Sequence, residues 1–474
     1  MRINFYLLIL LLSFSGASAQ TSLRQKADAY ASRVVSLYNR SAFDSLYHLG
    51  GSLFKRRWPY EMYFRGRMHD QHSVYGQIVS YTFRQIADST VYYVASFKNA
   101  KMDLGITVNR EGQLEDFFLA VAAEIPAQSE AVAPQEKRTN IAALDRKTDS
   151  LSKTFLSNNK AASIAVGVLT NGNLHSYGYG ETVIGNKTAP TKFTLYEIGS
   201  ISKTFTGILL AYFAQQEIVK LDDPVNKYLP DSIPELSYNG KKVTLASLSN
   251  HSSGLPRLPG NMFEGADMMN PYKNYDEQKL FRFLKNFKLQ REPGAQYDYS
   301  NLAVGLLGTI LERVSGKSYE QLVKEIITEP LEMSNTRLTL TESGKQNFAQ
   351  AYNRDRAVNS WEFQALAAAG GIRSCVRDML LYAKAQLDGG NTPLAKAIAL
   401  SHQLTFEKDG KRVGLGWHFV TSKGKKYVFH NGQTGGYCSA LVVNPETKNA
   451  VVMLTNSTTD PMGTAMELIN WLDQ

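Results

Sequence analysis

Cysteine is almost absent from this sequence, with Cys375 and Cys438 as the only two among 474 residues. Two thiols in a chain of this size exclude a disulfide framework, and the sequence leaves open whether they pair with each other. Hydrophobic residues make up 43% and charged residues 20% of the chain, which is typical of a folded soluble protein. The length favours two domains, each with a hydrophobic core of its own.

Several catalytic and binding signatures are missing as well. The sequence contains no G-x-S-x-G motif, which excludes the nucleophile elbow of the α/β-hydrolases. It contains neither H-E-x-x-H nor a cluster of cysteines and histidines, so neither a metal nor another cofactor is implied. The net charge is +9, but the basic residues are spread along the chain and form no stripe with interleaved aromatic residues. We therefore expect no nucleic-acid partner.

Apolar runs long enough to cross a bilayer are lacking too, so no membrane span is predicted. The N-terminus instead has the pattern of a secretory signal peptide: Arg2, an apolar run from Phe5 to Phe14, and the small residues Ala17-Ser18-Ala19. We predict that residues 1–19 are removed after Ala19. The mature protein would then be exported, either to a periplasm or to the medium.

Residues 20–125 are predicted to form a small α+β domain. A helical pattern runs from Leu23 to Tyr38, and four strand-like segments follow it, at Gly76–Arg84, Thr90–Phe97, Asp103–Val108 and Gln113–Ala120. This order of elements loosely resembles that of the small cone-shaped NTF2-like domains. Dimerisation, positioning and the binding of a small ligand are all open as roles for this domain. The stretch 126–140 has two prolines and no apolar period, which predicts a linker.

Residues 141–474 are predicted to form a second α+β domain, with an antiparallel sheet built from both of its ends. Strands at Ser163–Leu169 and Leu174–Tyr179 flank an Asn-Gly pair, which favours a hairpin. Four more strands are predicted at Gly416–Val420, Lys426–His430, Ser439–Asn444 and Ala450–Thr455. Helices from about Ile141 and over Met466–Leu472 would flank the sheet, and a large helical insertion would lie between its two halves.

The pattern Ser-x-x-Lys occurs twice, first in the hexapeptide SLSKTF at Ser150–Phe155. An amphipathic helix is predicted there, with a buried stripe at Leu144, Thr148, Leu151 and Phe155. We place Ser150, Ser152 and Lys153 off this stripe, and we expect Asp149 to pair with Lys153 one turn away. The first hexapeptide is therefore interpreted as the polar face of a surface helix.

The second hexapeptide, SISKTF at Ser200–Phe205, begins a helix that is apolar over a wide face. Ser200 follows Gly199, which permits a close backbone approach. The unpaired N–H groups at a helix N-terminus and the helix dipole favour an oxyanion there. Lys203 lies one turn later, within reach of the Ser200 hydroxyl, and burial of the helix would partly desolvate its amine.

Two later segments accompany the second hexapeptide. Tyr299-Ser300-Asn301 leads into an apolar helix, and His430-Asn431-Gly432 lies at the end of a predicted strand. In this order the three segments resemble the SxxK, YxN and Lys-Thr-Gly-type motifs of the serine β-lactamase and penicillin-binding-protein superfamily. The resemblance is to its class C β-lactamase-like branch, which includes D-Ala-D-Ala carboxypeptidases, D-aminopeptidases and family VIII esterases. Stretches such as LDDPVNKYLP, LSNHSSGLP and AAGGIRSCVRDMLLYAKAQL extend the likeness from about residue 141 to the C-terminus.

The resemblance implies an acyl transfer in two steps. Ser200 would be the nucleophile, and the charge of Lys203 would lower the pKa of Ser200 and of Tyr299. Tyr299 would take the Ser200 proton, return it to the leaving group and activate the deacylating water. Asn301 would bind Lys203 and a substrate amide, and the backbone N–H groups of Ser200 and Gln433 would form the oxyanion hole. The sharing of the proton between Lys203 and Tyr299 is a property of the pair.

The third motif departs from the pattern that many relatives share. A lysine at the position of His430 supplies a permanent cation for a substrate carboxylate, whereas a histidine is largely neutral at pH 7. Gly432, beside it, is implied in substrate binding. Weaker carboxylate recognition argues against an efficient β-lactamase and favours an ester or a peptide-like substrate. His251 and His418 are interpreted as structural.

We therefore expect an exported serine hydrolase that forms an acyl-enzyme with an ester or a D-amino-acid-containing peptide. One alternative is a true β-lactamase or penicillin-binding protein, and another is a catalytically silent binding protein on the same fold. The retention of Ser200, Lys203, Tyr299 and His430 argues against a silent protein. The residues that line the pocket are predicted to come mainly from Asn261–Gln278.

Overall fold

The computed structural model describes residues 5–57, 64, 68, 72, 76–87, 89–97, 101–109, 111–121, 143–159 and 161–474. The chain divides into two compact units, residues 1–128 and 129–474. The predicted linker, residues 126–140, lies outside the described residues. Within the described part of the chain, no helix has the length and hydropathy needed to cross a membrane.

In the part of the N-terminal unit that the structure describes, three helices with defined bounds precede a four-stranded sheet. The helices are α1 (Phe5–Asn39), α2 (Phe43–Leu49) and α3 (Ser52–Arg57). The strands are β1 (Ile78–Ala87), β2 (Thr90–Phe97), β3 (Lys101–Val108) and β4 (Leu114–Val121). They form an antiparallel meander in the order β1-β2-β3-β4. The predicted order, a helix first and then an antiparallel meander of four strands, is confirmed, but α2 and α3 were not predicted. The likeness to NTF2-like domains stays a prediction.

A single apolar stripe joins α1 to this sheet. Ala27, Ala31, Val34 and Tyr38 recur at helical spacing and are all fully buried. In β2, buried and half-buried residues alternate along the strand, so that one face lies against the helix. The predicted helix Leu23–Tyr38 corresponds to the C-terminal part of α1.

The second unit is organised around an eight-stranded antiparallel sheet. Its strands are β5 (Ser163–Thr170), β6 (Asn173–Gly180), β13 (Phe406–Lys408), β14 (Lys411–Val413), β15 (His418–Ser422), β16 (Lys425–Gln433), β17 (Cys438–Asn444) and β18 (Asn449–Thr455). The order is β13-β14-β15-β16-β17-β18-β5-β6, so strands from both ends of the unit meet where β18 pairs with β5. This confirms the predicted architecture. Asn171 and Gly172 have positive φ at the β5–β6 turn, as the Asn-Gly pair predicts.

Short strand pairs occur outside this sheet, at β7 (Tyr196–Glu197) with β12 (Arg373–Ser374), β8 (Ser237–Tyr238) with β9 (Lys241–Lys242), and β10 (Ala351–Asn353) with β11 (Arg356–Val358). The helices of this unit are α4 (Ala143–Asn159), α5 (Ser202–Gln215), α6 (Leu245–Ser249), α7 (Glu277–Asn286), α8 (Asn301–Ser315), α9 (Tyr319–Val323), α10 (Glu342–Gln346), α11 (Val376–Asp388), α12 (Pro393–Ser401) and α13 (Met462–Leu472). Three 3-10 helices, at Gly199–Ile201, Val225–Tyr228 and Ala367–Ala369, and a π-helical turn at Lys324–Thr328 complete the described helical elements.

Helices cover both faces of the sheet, so its central strands are buried throughout. Along β18, Val451 and Met453 pack with α4 and α13. The alternate residues Val452 and Leu454 face the larger core on the other side, which also contains α5, α8 and α11. Burial on both faces explains why β17 and β18 read as continuous apolar runs.

The first Ser-x-x-Lys hexapeptide lies on α4, and Ser150 and Lys153 are exposed as predicted. The Lys153 ammonium is 2.8 Å from the Asp149 carboxylate, which confirms the expected pair. The prediction for Ser152 was wrong, because its side chain is fully buried beside Thr148. The face of α4 that packs on the sheet is therefore wider than the four predicted stripe positions.

Cys375 and Cys438 are both free and both buried. Burial raises the pKa of the Cys375 thiol to about 12 and also raises that of Cys438. The fold is therefore held by its apolar core, and the two thiols are protonated at neutral pH.

Candidate active site

Ser200 and Lys203 meet at the start of α5. Ser200 lies in the 3-10 turn that precedes the helix and is half-buried, whereas Lys203 is fully buried. The side-chain amine of Lys203 donates to the Ser200 hydroxyl over 3.0 Å and to the Ala369 carbonyl over 2.5 Å. The second hexapeptide thus forms the close serine–lysine contact that nucleophilic chemistry needs.

Two glycines let the end of β16 approach the Ser200 turn. Gly199 has a φ of +49°, and a Cβ there would lie 2.7 Å from the backbone nitrogen of Gln433. A Cβ on Gly432 would lie 2.0 Å from the Ile198 carbonyl oxygen. The Gln433 N–H group is therefore held beside the N-terminal end of the nucleophile helix, where its dipole favours an anion.

Tyr299 directly precedes Ser300, the N-cap residue of α8, and the cap of that helix fixes its position. The Ser300 hydroxyl accepts from the Ala303 N–H group at 2.9 Å and donates to the Pro256 carbonyl at 2.6 Å. The Tyr299 ring centroid is 4.9 Å from the Lys203 side-chain nitrogen, and Ser200 is near enough to its hydroxyl to lower the pKa of the phenol. Ser200, Lys203 and Tyr299 are therefore brought together.

The pKa directions of the pair differ from the sequence-based expectation. Burial lowers the pKa of Lys203 well below its ordinary value, and the nearby charge of Arg257 lowers it further. Burial raises the pKa of Tyr299 to about 12, against the opposing effects of Ser200 and Arg257. In the resting site the phenol is neutral, and the weakly basic amine of Lys203 is the group that contacts the Ser200 hydroxyl.

Asn301 is the first residue of α8, and its side chain points into the same site. Its amide nitrogen donates to the Tyr272 hydroxyl over 3.1 Å, and its amide oxygen is buried without a hydrogen-bond partner. The predicted hydrogen bond between Asn301 and Lys203 is not formed, since Lys203 instead contacts Ser200 and Ala369. The vacant amide oxygen is an acceptor for an N–H group of a ligand.

His430 lies on β16 and is 1% exposed. Its Nδ1–H group donates to the Asn431 carbonyl over 2.6 Å, which leaves Nε2 as an acceptor that is buried without a partner. Burial, and then the charges of His418 and Lys203, lower the pKa of His430 well below 6.5. The third motif therefore carries no positive charge at neutral pH.

The sequence interpretation missed the part that His251 has in this site. His251 is fully buried at a φ of +64°, and its ring centroid is 4.3 Å from that of Tyr299. Its Nδ1 accepts from the Ser300 N–H group at 3.2 Å, and its carbonyl accepts from the Asp298 N–H group at 2.7 Å. His251 thus holds the backbone on both sides of Tyr299.

His418 lies between His251 and His430. Its ring centroid is 6.3 Å from the first and 5.0 Å from the second. Burial lowers the pKa of His418 to about 4, so this stack of rings is neutral. Only the tertiary fold shows this grouping, because the three histidines are far apart in the chain.

Arg257 is a second residue that sequence reasoning did not select. Its guanidinium carbon is 5.0 Å from the Tyr299 ring centroid, and the side chain is half-buried. Its position directly after the LSNHSSGLP stretch was the available signal, since that stretch already belonged to the family resemblance.

An aromatic wall encloses one side of the site. Tyr272 stacks on Phe363 with ring centroids 4.4 Å apart and packs against Trp361 at 5.3 Å. Tyr272 belongs to the predicted pocket segment, Asn261–Gln278, whereas Trp361 and Phe363 come from a loop that was not predicted to contribute. The backbone N–H group of Trp361 donates to the buried Glu197 carboxylate over 2.7 Å, which fixes this loop next to the nucleophile turn.

Known proteins provide an independent comparison with this geometry. A protein-family model described as Beta-lactamase matches residues 144–473. A beta-lactamase of Yersinia enterocolitica is 28% identical over 62% of this chain and 81% of its own length. The D-alanyl-D-alanine-carboxypeptidase/endopeptidase AmpH of Escherichia coli K12 is 31% identical over 61% of this chain and 78% of its own length.

One solved structure resembles this chain over nearly the whole length of the solved protein. The beta-lactamase/D-alanine carboxypeptidase of Yersinia pestis, determined in complex with citrate, matches with a TM-score of 0.61 and 28% identity. The match covers 70% of this chain and 97% of that protein. Sequence and structure therefore agree on the same group of relatives.

Proposed function

Because this chain belongs to the beta-lactamase family of serine hydrolases, we propose that it is an exported enzyme that forms an acyl-enzyme with an ester or a D-amino-acid-containing peptide. The observation that carries this proposal is the contact of 3.0 Å between the buried Lys203 amine and the Ser200 hydroxyl. A desolvated amine with a lowered pKa is a usable base near neutral pH. The neighbouring phenol of Tyr299 completes a route for the proton.

In the acylation step, the Ser200 oxygen attacks the substrate carbonyl carbon and its proton passes to the Lys203–Tyr299 pair. The negative charge on the carbonyl oxygen is stabilised by the backbone N–H groups of Ser200 and Gln433. Removing one such donor typically costs about 2.7–4 kcal/mol in the transition state. The leaving group takes the proton from Tyr299, whose neutral phenol is the group next to Ser200 that can donate it.

In the deacylation step, a water molecule replaces the leaving group. The Lys203–Tyr299 pair takes a proton from this water, and the ester bond to Ser200 breaks as the serine regains its proton. Asn301 supports both steps in this proposal, because its buried amide oxygen has no partner and fits a substrate N–H group. Gly432 contributes by leaving room for the backbone beside Ile198.

The substrate class is proposed from the neutral third motif and from the relatives. His430 supplies no cation, which speaks against a mechanism that depends on that residue for holding a lactam carboxylate. The relative AmpH is named as a carboxypeptidase and endopeptidase for D-alanyl-D-alanine, which supports a D-amino-acid peptide substrate. Beta-lactam hydrolysis and penicillin binding are the alternatives that the same relatives support.

An active-site probe tests the proposal. Incubation with a fluorophosphonate and with a labelled penicillin, followed by peptide mapping, should place the label on Ser200 and never on Ser150. Ser200→Ala should lose both the label and hydrolysis, whereas the matched variant Ser150→Ala should keep both. An unlabelled wild-type protein that turns over neither esters, lactams nor D-peptides would instead favour a silent binding protein.

Export and the role of residues 20–125 belong to the same proposal. The N-terminal sequence supports cleavage after Ala19, and mass spectrometry of the protein recovered from outside the cytoplasm should find Gln20 as the first residue. Dimerisation through residues 20–125 is tested by sedimentation of the mature chain. A monomer at micromolar concentration would reject that role.

A further inference from the structure

Arg257 carries a positive charge that this part of the fold leaves uncompensated. Within the described ranges, no carboxylate lies at ion-pair distance from its guanidinium. Two other arginines of this unit are different: Arg291 contacts Asp298 at 2.5 Å, and Arg373 contacts Glu197 at 3.5 Å. The half-buried guanidinium of Arg257 therefore has its charge free to meet an anionic group of a ligand.

The backbone holds Arg257 in place beside the reacting groups. The Arg257 carbonyl accepts from the N–H groups of Asn301 and Leu302, at 2.9 and 3.2 Å, and so joins this residue to the first turn of α8. Its guanidinium contacts the Tyr299 ring, and its charge lowers the pKa of Tyr299 and of Lys203. Arg257 therefore faces the same space as the groups that handle the proton.

The position of Arg257 indicates which part of a substrate it meets. In the proposed mechanism Tyr299 protonates the leaving group, so a cation beside Tyr299 is on the leaving-group side of Ser200. Lys203 is engaged with Ser200 and Ala369, and His430 is neutral. Arg257 is thus the described cation beside the reacting groups that is available to a carboxylate, and its planar fork matches one.

We propose that Arg257 binds a carboxylate on the leaving group and thereby replaces the cation that the third motif lacks. The enzyme then selects acyl donors whose leaving group is an anion, such as a peptide that ends in an amino acid with a free carboxylate. This inference rests on the proposed function. It makes a neutral ester a poor substrate and a carboxylate-bearing amide or ester a good one.

The covalent chemistry is the acyl transfer already described. The Ser200 oxygen bonds to the carbonyl carbon, the bond from that carbon to the leaving nitrogen, oxygen or sulfur breaks, and the Ser200 proton leaves with that atom. Water then hydrolyses the acyl-enzyme to a carboxylic acid. Arg257 holds the departing carboxylate and forms no covalent bond.

A matched pair of substrates tests this selection. The first is an N-acyl-D-alanyl thioester of thioglycolate, which has a free carboxylate on the leaving group, and the second is its methyl ester. Release of the thiol gives kcat and KM for both. Since a hydrogen bond to a charged group is lost, the wild type should prefer the carboxylate by about 10–100-fold in kcat/KM, mainly through KM.

Three variants locate the origin of the preference. Arg257→Gln should reduce the ratio of the two kcat/KM values to near one, and Arg257→Lys should restore part of it because the charge is kept. Arg291→Gln is the control, since Arg291 already has Asp298 as a partner. It should keep the wild-type ratio.

The inference is overturned by a wild-type ratio near one, by a ratio that Arg257→Gln leaves unchanged, or by an equal loss on both substrates. The wild-type ratio and Arg257→Lys decide the question if Arg257→Gln does not fold. A wild type that releases no thiol and takes no fluorophosphonate on Ser200 would reject the proposed function as well. A labelled Ser200 without substrate preference would reject the role of Arg257 alone.

Discussion

The burial of Lys203 is expected to support catalysis and to reduce the stability of the folded domain. Its side chain is fully buried, and burial lowers its pKa well below the ordinary value. In the unfolded chain the same amine has a pKa of about 10.4. We expect Lys203→Met to reduce kcat by about 10²–10⁴-fold, since a general base is lost, and yet to stabilise the folded domain.

The expected gain in stability can be worked out from the contacts. Replacing buried ionisable groups with apolar side chains of similar volume, as measured for buried ion pairs, is often neutral or stabilises by about 1–4 kcal/mol. About 1 kcal/mol is offset because the Ala369 carbonyl loses its donor. The free energy of unfolding should therefore rise by up to about 3 kcal/mol.

The pH dependence has a definite sign. Because the pKa of Lys203 is lowered in the folded state, the unfolded state binds more protons below about pH 10.4, and the stability of the wild type falls as the pH falls. The methionine variant lacks this contribution. Its advantage over the wild type should be larger at pH 6 than at pH 9.

Urea unfolding at both pH values, together with kinetics, checks this prediction. The matched control is Lys153→Met in the first hexapeptide, where the lysine side chain is 63% exposed and paired with Asp149. That variant should change stability by less than about 0.5 kcal/mol at either pH. A Lys203→Met protein that is less stable than the wild type, or whose difference from it ignores pH, would refute the reasoning.

Three further predictions concern residues around the nucleophile. His251→Ala removes the ring packed on Tyr299. It should lower kcat/KM by about 10–100-fold and the free energy of unfolding by about 2–4 kcal/mol. An unchanged kcat would contradict the positioning role of His251. Burial raises the pKa of Glu197 to about 7, above its unfolded value, so the stability of the wild type should fall by about 1–3 kcal/mol as the pH rises through 7. Glu197→Gln should lack this fall. Identical urea midpoints for both proteins from pH 5 to 8 would contradict this prediction. Gly432→Ala places a methyl group 2.0 Å from the Ile198 carbonyl oxygen, so it should lower the free energy of unfolding by about 1–3 kcal/mol. It should also remove most of the acylation rate that a burst assay measures. A burst equal to that of the wild type would show that the backbone shifts to make room for the methyl group.

Much of the architecture could be predicted from local pattern. The strands β5, β6, β17 and β18 follow from apolar runs and turn residues whose chemistry is local, and the structure reproduces them within about two residues. The two hexapeptides were distinguished in the same way, because the stripe around Phe155 and the wide apolar face after Ser200 differ in the sequence itself.

The electrostatic character of the site could not be predicted in this way. The sequence implied that Lys203 would depress the pKa of Tyr299, but burial raises it to about 12. Desolvation of a side chain depends on how many segments from distant parts of the chain pack around it. The sequence next to that residue does not show this. Arg257 was overlooked for the same reason: only the fold shows that no carboxylate among the described residues lies at ion-pair distance from it.

The sheet of the second unit has a consequence for the order of events during synthesis. Ser163, at the start of β5, is hydrogen-bonded to Asn456, which lies 293 positions later in the chain. Contacts of such sequence separation are slow to form and leave strand edges exposed until they do. A growing chain therefore carries its nucleophile long before the strand that brings Gln433 has been made. Its catalytic centre is not assembled until β18 pairs with β5, so a premature stop before β18 should yield no active hydrolase.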